Sequence, residues 1–368
     1  MLEVIYLLSK ALQTGPVNQA LNILIGLNKV EGVHAILVTL EPEVEGHSWL
    51  ERFKNNGIEI VQLNGSAIGT SRCVRKLKSI IKERSIDVVH SSGFHVDFVN
   101  MQLRHVVKTV STQRCNPDEI VEMFPKWIRP PFEKLHLSII KRIDRVVACS
   151  KSVQRVFTED YNLPVDAVQN GVNTDFFKPS TNEEKLALRK ELNLTTDKTI
   201  YLVLGGLIPR KNVGLIINAF KSVDNPNIQL VIVGAGASGN ELKSLAEKDE
   251  RIIFTGSTST PIKYLQASDI LISSALAEGL PNTVLEALAC GLPCILSDID
   301  PHKEIFETKV VGSMFDRYSE TELAARIIDS QGWDVPEMSK EARLLAESQF
   351  GLSILAKKYV DCYRSILK

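Results

Sequence analysis

Two carboxylates separated by seven residues, Glu278 and Glu286, frame the segment AEGLPNTVLEALACG, and two adjacent cations, Arg210 and Lys211, follow the run LVLGGLIP. Pro281 suits the first turn of a helix and Gly291 the position past its end. The spacing therefore predicts Glu278 on the loop before the helix and Glu286 about one and a half turns inside it. A helical period brings Asn282, Glu286 and Ala289 near one face. The amides of Gly279, Leu280, Asn282 and Thr283 have no partners within a helix's first turn. Those amides and the positive end of the helix dipole make an anion site, which the missing side chain of Gly279 lets a phosphate approach closely. Arg210 and Lys211 open a helix after a strand. They read either as a solvated pair or as cations for a diphosphate, whose departure is stabilised mostly by electrostatics. A cationic pair at a helix start opposes the dipole and is mildly unfavourable without an anion.

A competing motif is VIVGAGASGNEL, in which Gly234, Gly236 and Gly239 fit G-x-G-x-x-G after an apolar run. A dinucleotide site would also need an acidic residue about 20 positions on, at the end of the next strand. That strand, RIIFTGSTST, ends without one. The motif also follows the second strand of its domain and not the first. It reads as a tight strand-to-helix turn, with Gly234 near a bound ligand.

These segments need a scaffold. At 368 residues the chain suits two domains, and its 44% hydrophobic and 24% charged residues are ordinary for a globular protein. A net charge of −1 does not mark the whole chain as a nucleic-acid binder. Six scattered cysteines without C-x-x-C spacing argue against structural zinc and suit a reducing, cytoplasmic setting. The N-terminus lacks the basic start of a signal peptide, and no apolar run reaches membrane-spanning length. Strand patterns (EVIYLL, HAILVTL, IEIVQL, IDVVH, VVKTVS, IDRVVACS and the weaker VDAVQN) alternate with amphipathic helices, which predicts a parallel sheet covered on both faces. After a polar segment the alternation resumes with TIYLVLGG, IQLVIVG, RIIFTG, DILISS and PCILSD. The expected organisation is a Rossmann-like domain over 1–172, a crossing over 173–198 and a second doubly wound domain over 199–351. A final helix, 352–368, packs back on the first domain. A ligand would lie where the carboxyl ends of the two sheets face each other.

The run E-G-L-P-N-T-V-L-E-A-L-A-C-G-L-P resembles the E-x7-E signature of family-four retaining glycosyltransferases of the GT-B fold. QNGVNTDFFKP, GGLIPRKNVGLIINAF and VIVGAGASGNEL resemble further segments of that family, in order, from about 165 to 305. The resemblance implies two Rossmann-like α/β domains and a nucleoside-diphosphate sugar as donor, with no cofactor and no metal. Glu286 would bind the ribose and Glu278 would lie beside the donor sugar. Lys211 and the amides near Gly279 and Leu280 would stabilise the leaving diphosphate. Gly15 would face the cleft from the first domain. The acceptor hydroxyl would attack from the face that the diphosphate leaves, so the anomeric configuration is retained.

The chain departs from the family pattern in several places. Gly206 stands where an arginine is usual, which makes Arg210 the candidate for that charge. Gln113 and Arg114 occupy the place of a common T-x-H histidine, leaving His90 and His95 as candidates on the acceptor side. Asp298-x-Asp300 has a metal-binding spacing but reads as a turn. Residues 70–145 carry fifteen Lys or Arg against eight Asp or Glu, including the mixed aromatic and basic MFPKWIRPPFEKL. This face reads either as solvated surface or as a contact for anionic membrane, where a lipid-linked or polysaccharide acceptor would be met. The overall expectation is a glycosyltransferase of cell-surface polysaccharide synthesis, peripheral to the inner membrane face. A nucleotide-sugar epimerase and a non-catalytic nucleotide-sugar binder are the alternatives.

Overall fold

The structure, a computed structural model, describes residues 1–65, 70–117 and 127–368. Its chain divides into two compact units: Met1–Gly171 with Leu352–Lys368, and Val172–Gly351.

The described residues of unit 1 form a parallel seven-stranded sheet. Its strands are β1 (Leu2–Leu8), β2 (Val33–Thr39), β3 (Ile60–Gln62), β4 (Val88–Ser91), β5 (Lys108–Gln113), β6 (Arg145–Ala148) and β7 (Asp166–Ala167). They lie in the order β3-β2-β1-β4-β5-β6-β7. The central strand shows why continuous apolar runs suit this sheet. Val4, Ile5, Tyr6 and Leu7 are all fully buried. Alternate residues serve opposite faces: Val4, Tyr6 and Leu8 pack with helices Gly15–Asn28 and Leu352–Leu367, while Ile5 and Leu7 pack with helix Thr70–Glu83.

Unit 2 repeats the design with β8 (Thr199–Leu204), β9 (Ile228–Val233), β10 (Ile252–Gly256), β11 (Ile270–Ser273), β12 (Cys294–Ser297) and β13 (Gly312–Phe315). The order is β10-β9-β8-β11-β12-β13, all parallel. Ile200 and Leu202 face the core of helices Asn282–Ala289 and Val335–Phe350, whereas Tyr201 and Val203 face helix Val213–Ser222.

Two elements differ from the sequence expectation. β13 carries Gly-Ser-Met in place of a β-branched run, and its glycine is required by close packing. Gly312 has φ +133°, and a Cβ there would lie 1.8 Å from the Cys294 carbonyl oxygen of β12. The polar segment 173–198 is not merely a crossing either. Asn182–Glu191 is a helix with a capping box between Thr181 and Glu184, and it belongs to unit 2. A buried arginine anchors it, beside Leu188 packed on the core. The buried Arg189 bonds Asp269 at 2.5 Å, the Ala267 carbonyl at 2.8 Å and the Lys198 carbonyl at 3.1 Å.

The C-terminal helix is fixed to unit 1 by a buried polar chain. His90 Nδ1 lies 2.7 Å from the Tyr363 hydroxyl, His90 Nε2 lies 2.8 Å from Thr112 Oγ1, and Thr112 Oγ1 lies 2.9 Å from the Tyr359 hydroxyl. Burial, reinforced by the nearby Arg114 charge, pushes the His90 pKa well below the usual histidine value.

The G-x-G-x-x-G turn after β9 packs backbone to backbone on the loop after β8. Gly234 has φ +151°, and a Cβ there would lie 1.8 Å from the Gly205 carbonyl oxygen; at Gly236 it would lie 2.3 Å from that of Leu207. The first two glycines of the motif are thus explained by loop packing.

Two sets of outcomes are expected, the first from substitutions in the glycine loops. Gly234→Ala destabilises by about 1–3 kcal/mol through overpacking and strain. Gly206→Ala, with nothing within 4 Å of its added Cβ, is nearly neutral in urea unfolding. The second concerns His90. Its folded-state pKa is depressed, so below about 6.5 the unfolded chain binds the extra proton and stability falls with pH. The slope contributed is at most about 1.4 kcal/mol per pH unit. Urea unfolding of wild type and His90→Gln between pH 7 and 5 checks it, and an unchanged slope in the variant counts against this assignment.

Candidate active site

The order of unit 2's sheet reverses between β8 and β11, the place where doubly wound sheets open a crevice at their carboxyl ends. A pocket of about 420 Å³, counting its open mouth, lies there. Its wall includes Gly205 and Gly206 after β8, Ser273 and Ser274 at the end of β11, Lys211, and Thr283 in the first turn of helix Asn282–Ala289.

The cations sit on a short 3-10 turn, Pro209–Lys211, closed by Asn212 in the left-handed region at φ 49°. The loop after β11 grips this turn. The buried Ser274 donates its hydroxyl to the Lys211 and Asn212 carbonyls, each at 2.9 Å, and the Leu276 amide donates to the Arg210 carbonyl at 2.9 Å. Arg210 also donates to the Ala277 carbonyl. Both cations converge on Glu278: Arg210 Nη1 lies 3.1 Å from Oε2, and Lys211 Nζ is ion-paired to Oε1. The Glu278 side chain is only 11% exposed. Burial by itself raises its pKa, but Lys211 and then Arg210 overrule it and hold the carboxyl below the ordinary value.

The other donor-side residues are spread around this cluster. Pro281 proves to be the N-cap, one position before the helix. The Leu280 side chain is buried in the core, so only its backbone could meet a ligand. Gly206 and Thr283 line the pocket with Lys211, whereas Gly234, Gly279, Leu280, Asn282 and Glu286 are not among its lining residues. Glu286, inside the helix, is half-buried. Burial and then the Glu286 charge push the Cys290 thiol up to about 12. Asp298 accepts from Arg317 Nε at 2.9 Å, a structural pairing.

Sequence reasoning passed over His302, which is fully buried. Its Nδ1 lies 2.9 Å from the Ser297 carbonyl, an acceptor only, so Nδ1 carries the proton. Nε2 then faces the hydroxyl of the pocket residue Ser273 at 3.5 Å. Burial lowers the His302 pKa to about 4, so the ring is neutral at physiological pH. Its place in PHKEIF, two residues before Glu304, was the available signal.

In unit 1 the acceptor-side candidates separate. His90 is fully buried in the polar chain described above, and Gln113, also buried, donates to Asp97 at 3.1 Å and Ser111 at 2.7 Å. Both side chains are enclosed and committed to these internal hydrogen bonds. Arg114 is partly buried and donates to Asn170 at 2.6 Å and the Tyr6 hydroxyl at 3.2 Å. Gly15 is exposed at the start of helix Gly15–Asn28. His95 is part-exposed, with Nδ1 3.1 Å from Glu41 Oε1 and 3.2 Å from Ser9 Oγ. Lys10 joins the same Glu41 at 3.4 Å. This cluster lies at unit 1's own reversal of strand order, between β1 and β4.

Residues 14–176 match the family model Glycosyltransferase Family 4, and residues 184–330 match the model Glycosyl transferases group 1. An Escherichia coli relative, UDP-Gal:alpha-D-GlcNAc-diphosphoundecaprenol alpha-1,3-galactosyltransferase, is 25% identical over 326 residues, covering 82% of this chain and 81% of its own. Another from Escherichia coli, the O-antigen biosynthesis glycosyltransferase WclY, is 22% identical over 337 residues, covering 84% and 90%. Among solved structures, Anabaena HepE in complex with UDP-glucose superposes with a TM-score of 0.81 at 16% identity, covering 99% of this chain and 100% of that one. With one family model on each unit and two doubly wound parallel sheets, the chain is a glycosyltransferase of the GT-B fold.

Proposed function

We propose that this chain is a family-four enzyme that transfers a sugar from a nucleoside-diphosphate sugar to a glycan or lipid-linked saccharide, with retained anomeric configuration, in cell-surface polysaccharide synthesis. The observation that carries the reading is the convergence of Arg210 and Lys211 on Glu278 beside the switch-point pocket of unit 2. The relative named for GlcNAc-diphosphoundecaprenol and the one named for O-antigen synthesis support the acceptor class.

In this reading the bond from the anomeric carbon to the diphosphate oxygen breaks while a bond to the acceptor oxygen forms on the same face. The departing phosphate oxygen takes the acceptor's proton. Lys211 and Arg210 stabilise the charge gathering on the diphosphate, and Glu278 stabilises the positive charge on the sugar ring. Two side-chain cations carry the electrostatic work, so the reaction as drawn uses no metal. Arg210 supplies the second charge in place of the absent side chain at Gly206. In unit 1, His95, Gly15 and Arg114 remain the acceptor-side candidates.

The acceptor class also bears on a surface of unit 1. Helix Phe94–Met101 packs against helices Thr70–Glu83 and Arg129–Ile140. Thr70–Glu83 exposes Arg72, Arg75, Lys76, Lys78 and Lys82. Nearby, Trp127, Leu135 and Phe98 are exposed at 78%, 51% and 38%, beside Lys134. Basic side chains next to exposed aromatic and aliphatic groups suit the surface of an anionic bilayer. Residues 118–126, which include the start of MFPKWIRPPFEKL, lie outside the described residues. Among the described residues no helix is long and apolar enough to cross a membrane.

One nucleoside diphosphate from a panel of UDP, GDP and ADP is expected to raise the melting temperature, a ligand at 100 times its Kd stabilising by roughly 2.7 kcal/mol. The matching sugar donor then gives a product whose anomeric coupling constant, read by NMR, equals the donor's; an inverted product removes the retaining part of the proposal. Vesicles containing phosphatidylglycerol should carry the protein upward in flotation at low salt, while phosphatidylcholine vesicles should not. Equal behaviour with both lipids would discard the membrane contact.

A further inference from the structure

Lys211 is a wall of the pocket, yet among the described residues no Asp or Glu belongs to that wall. The counter-ion of both cations is the carboxylate of Glu278, which does not line the pocket and sets one oxygen on each cation. The backbone of the cationic turn is clamped by Ser274 and by the Leu276 amide, which fixes the point from which both cationic side chains extend. Glu278 is on the adjoining loop, four residues past Ser274. A diphosphate entering the pocket brings its negative charge to Lys211, whose neighbour Arg210 shares the same carboxylate. The carboxylate of Glu278 and the diphosphate would then compete for the same two positive charges. They must share, at a cost in like-charge repulsion that is large where water is partly excluded.

We propose that Glu278 is an exchangeable counter-ion, which a bound diphosphate displaces from Lys211 and Arg210 and which retakes them when the nucleoside diphosphate product departs. The inference rests on the reading of the pocket as a nucleotide-sugar site. It gives Glu278 a task distinct from any contact to the sugar. In the ligand-free protein the carboxylate keeps two neighbouring cations compatible in a half-buried turn. After transfer it competes with the product for them and so speeds release. A residue that served only to stabilise the sugar's transition state would leave the affinity for a sugar-free nucleoside diphosphate unchanged when replaced. The exchange role moves that affinity upward.

The experiment is calorimetric titration of wild type and Glu278→Gln with UDP, GDP, ADP and inorganic pyrophosphate, together with steady-state turnover. The neutral amide is expected to tighten binding of the preferred nucleoside diphosphate, and of pyrophosphate, on the order of tenfold, with turnover lowered and product inhibition stronger. Adding Lys211→Met to the Gln variant should abolish the gain, because the gain resides in the released cation. Glu278→Ser, smaller and also neutral, gives the same direction and serves if the Gln variant does not fold. Unchanged or weaker diphosphate binding in the folded neutral variants, with wild type binding normally, overturns the inference and leaves the functional reading standing. Binding of no nucleoside diphosphate to wild type or variant overturns the functional reading and this inference with it.

Discussion

Two successive cations at the start of a helix are unfavourable without an anion nearby. Arg210 and Lys211 meet that condition through Glu278. Everything around the pocket is arranged so that the meeting occurs. β8 is followed by Gly205, whose φ of +145° turns the chain toward the Pro209–Lys211 turn. β11, its neighbour across the reversal of strand order, ends in two serines. Ser274 grips the carbonyls of the cationic turn, and Ser273 faces the buried His302. The loop leaving β11 then delivers Glu278 before the chain enters helix Asn282–Ala289. The charge cluster is therefore a product of the parallel topology: residues 67 positions apart meet because their strands are adjacent.

The glycine motif after β9 plays a supporting part in the same construction. Its first two glycines are needed because the loop after β8 lies against them backbone to backbone, with the Leu207 amide donating to the Ala235 carbonyl at 3.0 Å and the Ser238 amide donating to that of Leu207 at 3.0 Å. A side chain at Gly234 or Gly236 would push away the loop that leads to Arg210 and Lys211. The sequence pattern looks like that of a dinucleotide turn because both uses require a backbone surface without side chains. In one case a pyrophosphate approaches the backbone, and here another stretch of the same chain does.

Unit 1 obeys the same rules of parallel packing with a different interior. Its central strands end in polar residues that the covering helices enclose: His90 with Tyr359 and Tyr363, and Gln113 with Asp97. Such a network is stable only when its members are satisfied, and it ties the last helix of the chain to the first sheet. Free polar chemistry is left to residues just beyond the strands, where Ser9, Lys10, Glu41 and His95 gather at part-exposed positions.

By itself the sequence determined the periodicities, and through them the two parallel α/β units. Alternation of apolar strands with amphipathic helices is a local property, imposed by burial on both faces of each sheet. It also marked Glu278, Arg210 and Lys211, because a cation pair at a helix start and a carboxylate before a proline are visible without a fold. Weaker local signals were lost: β13, which Gly312 fits by close approach; the helix Asn182–Glu191, whose capping box stands in a polar run anchored by the buried Arg189; and His302, one histidine in the short helix Asp300–Ile305. Only the tertiary structure decided that His90 and Gln113 are enclosed, that the glycine motif packs on its neighbouring loop, and that both cations share one carboxylate. Each of these depends on which strands are neighbours and how closely their ends approach. Distances of 3 Å between residues far apart in the chain are fixed by sheet order and packing, which no single segment encodes.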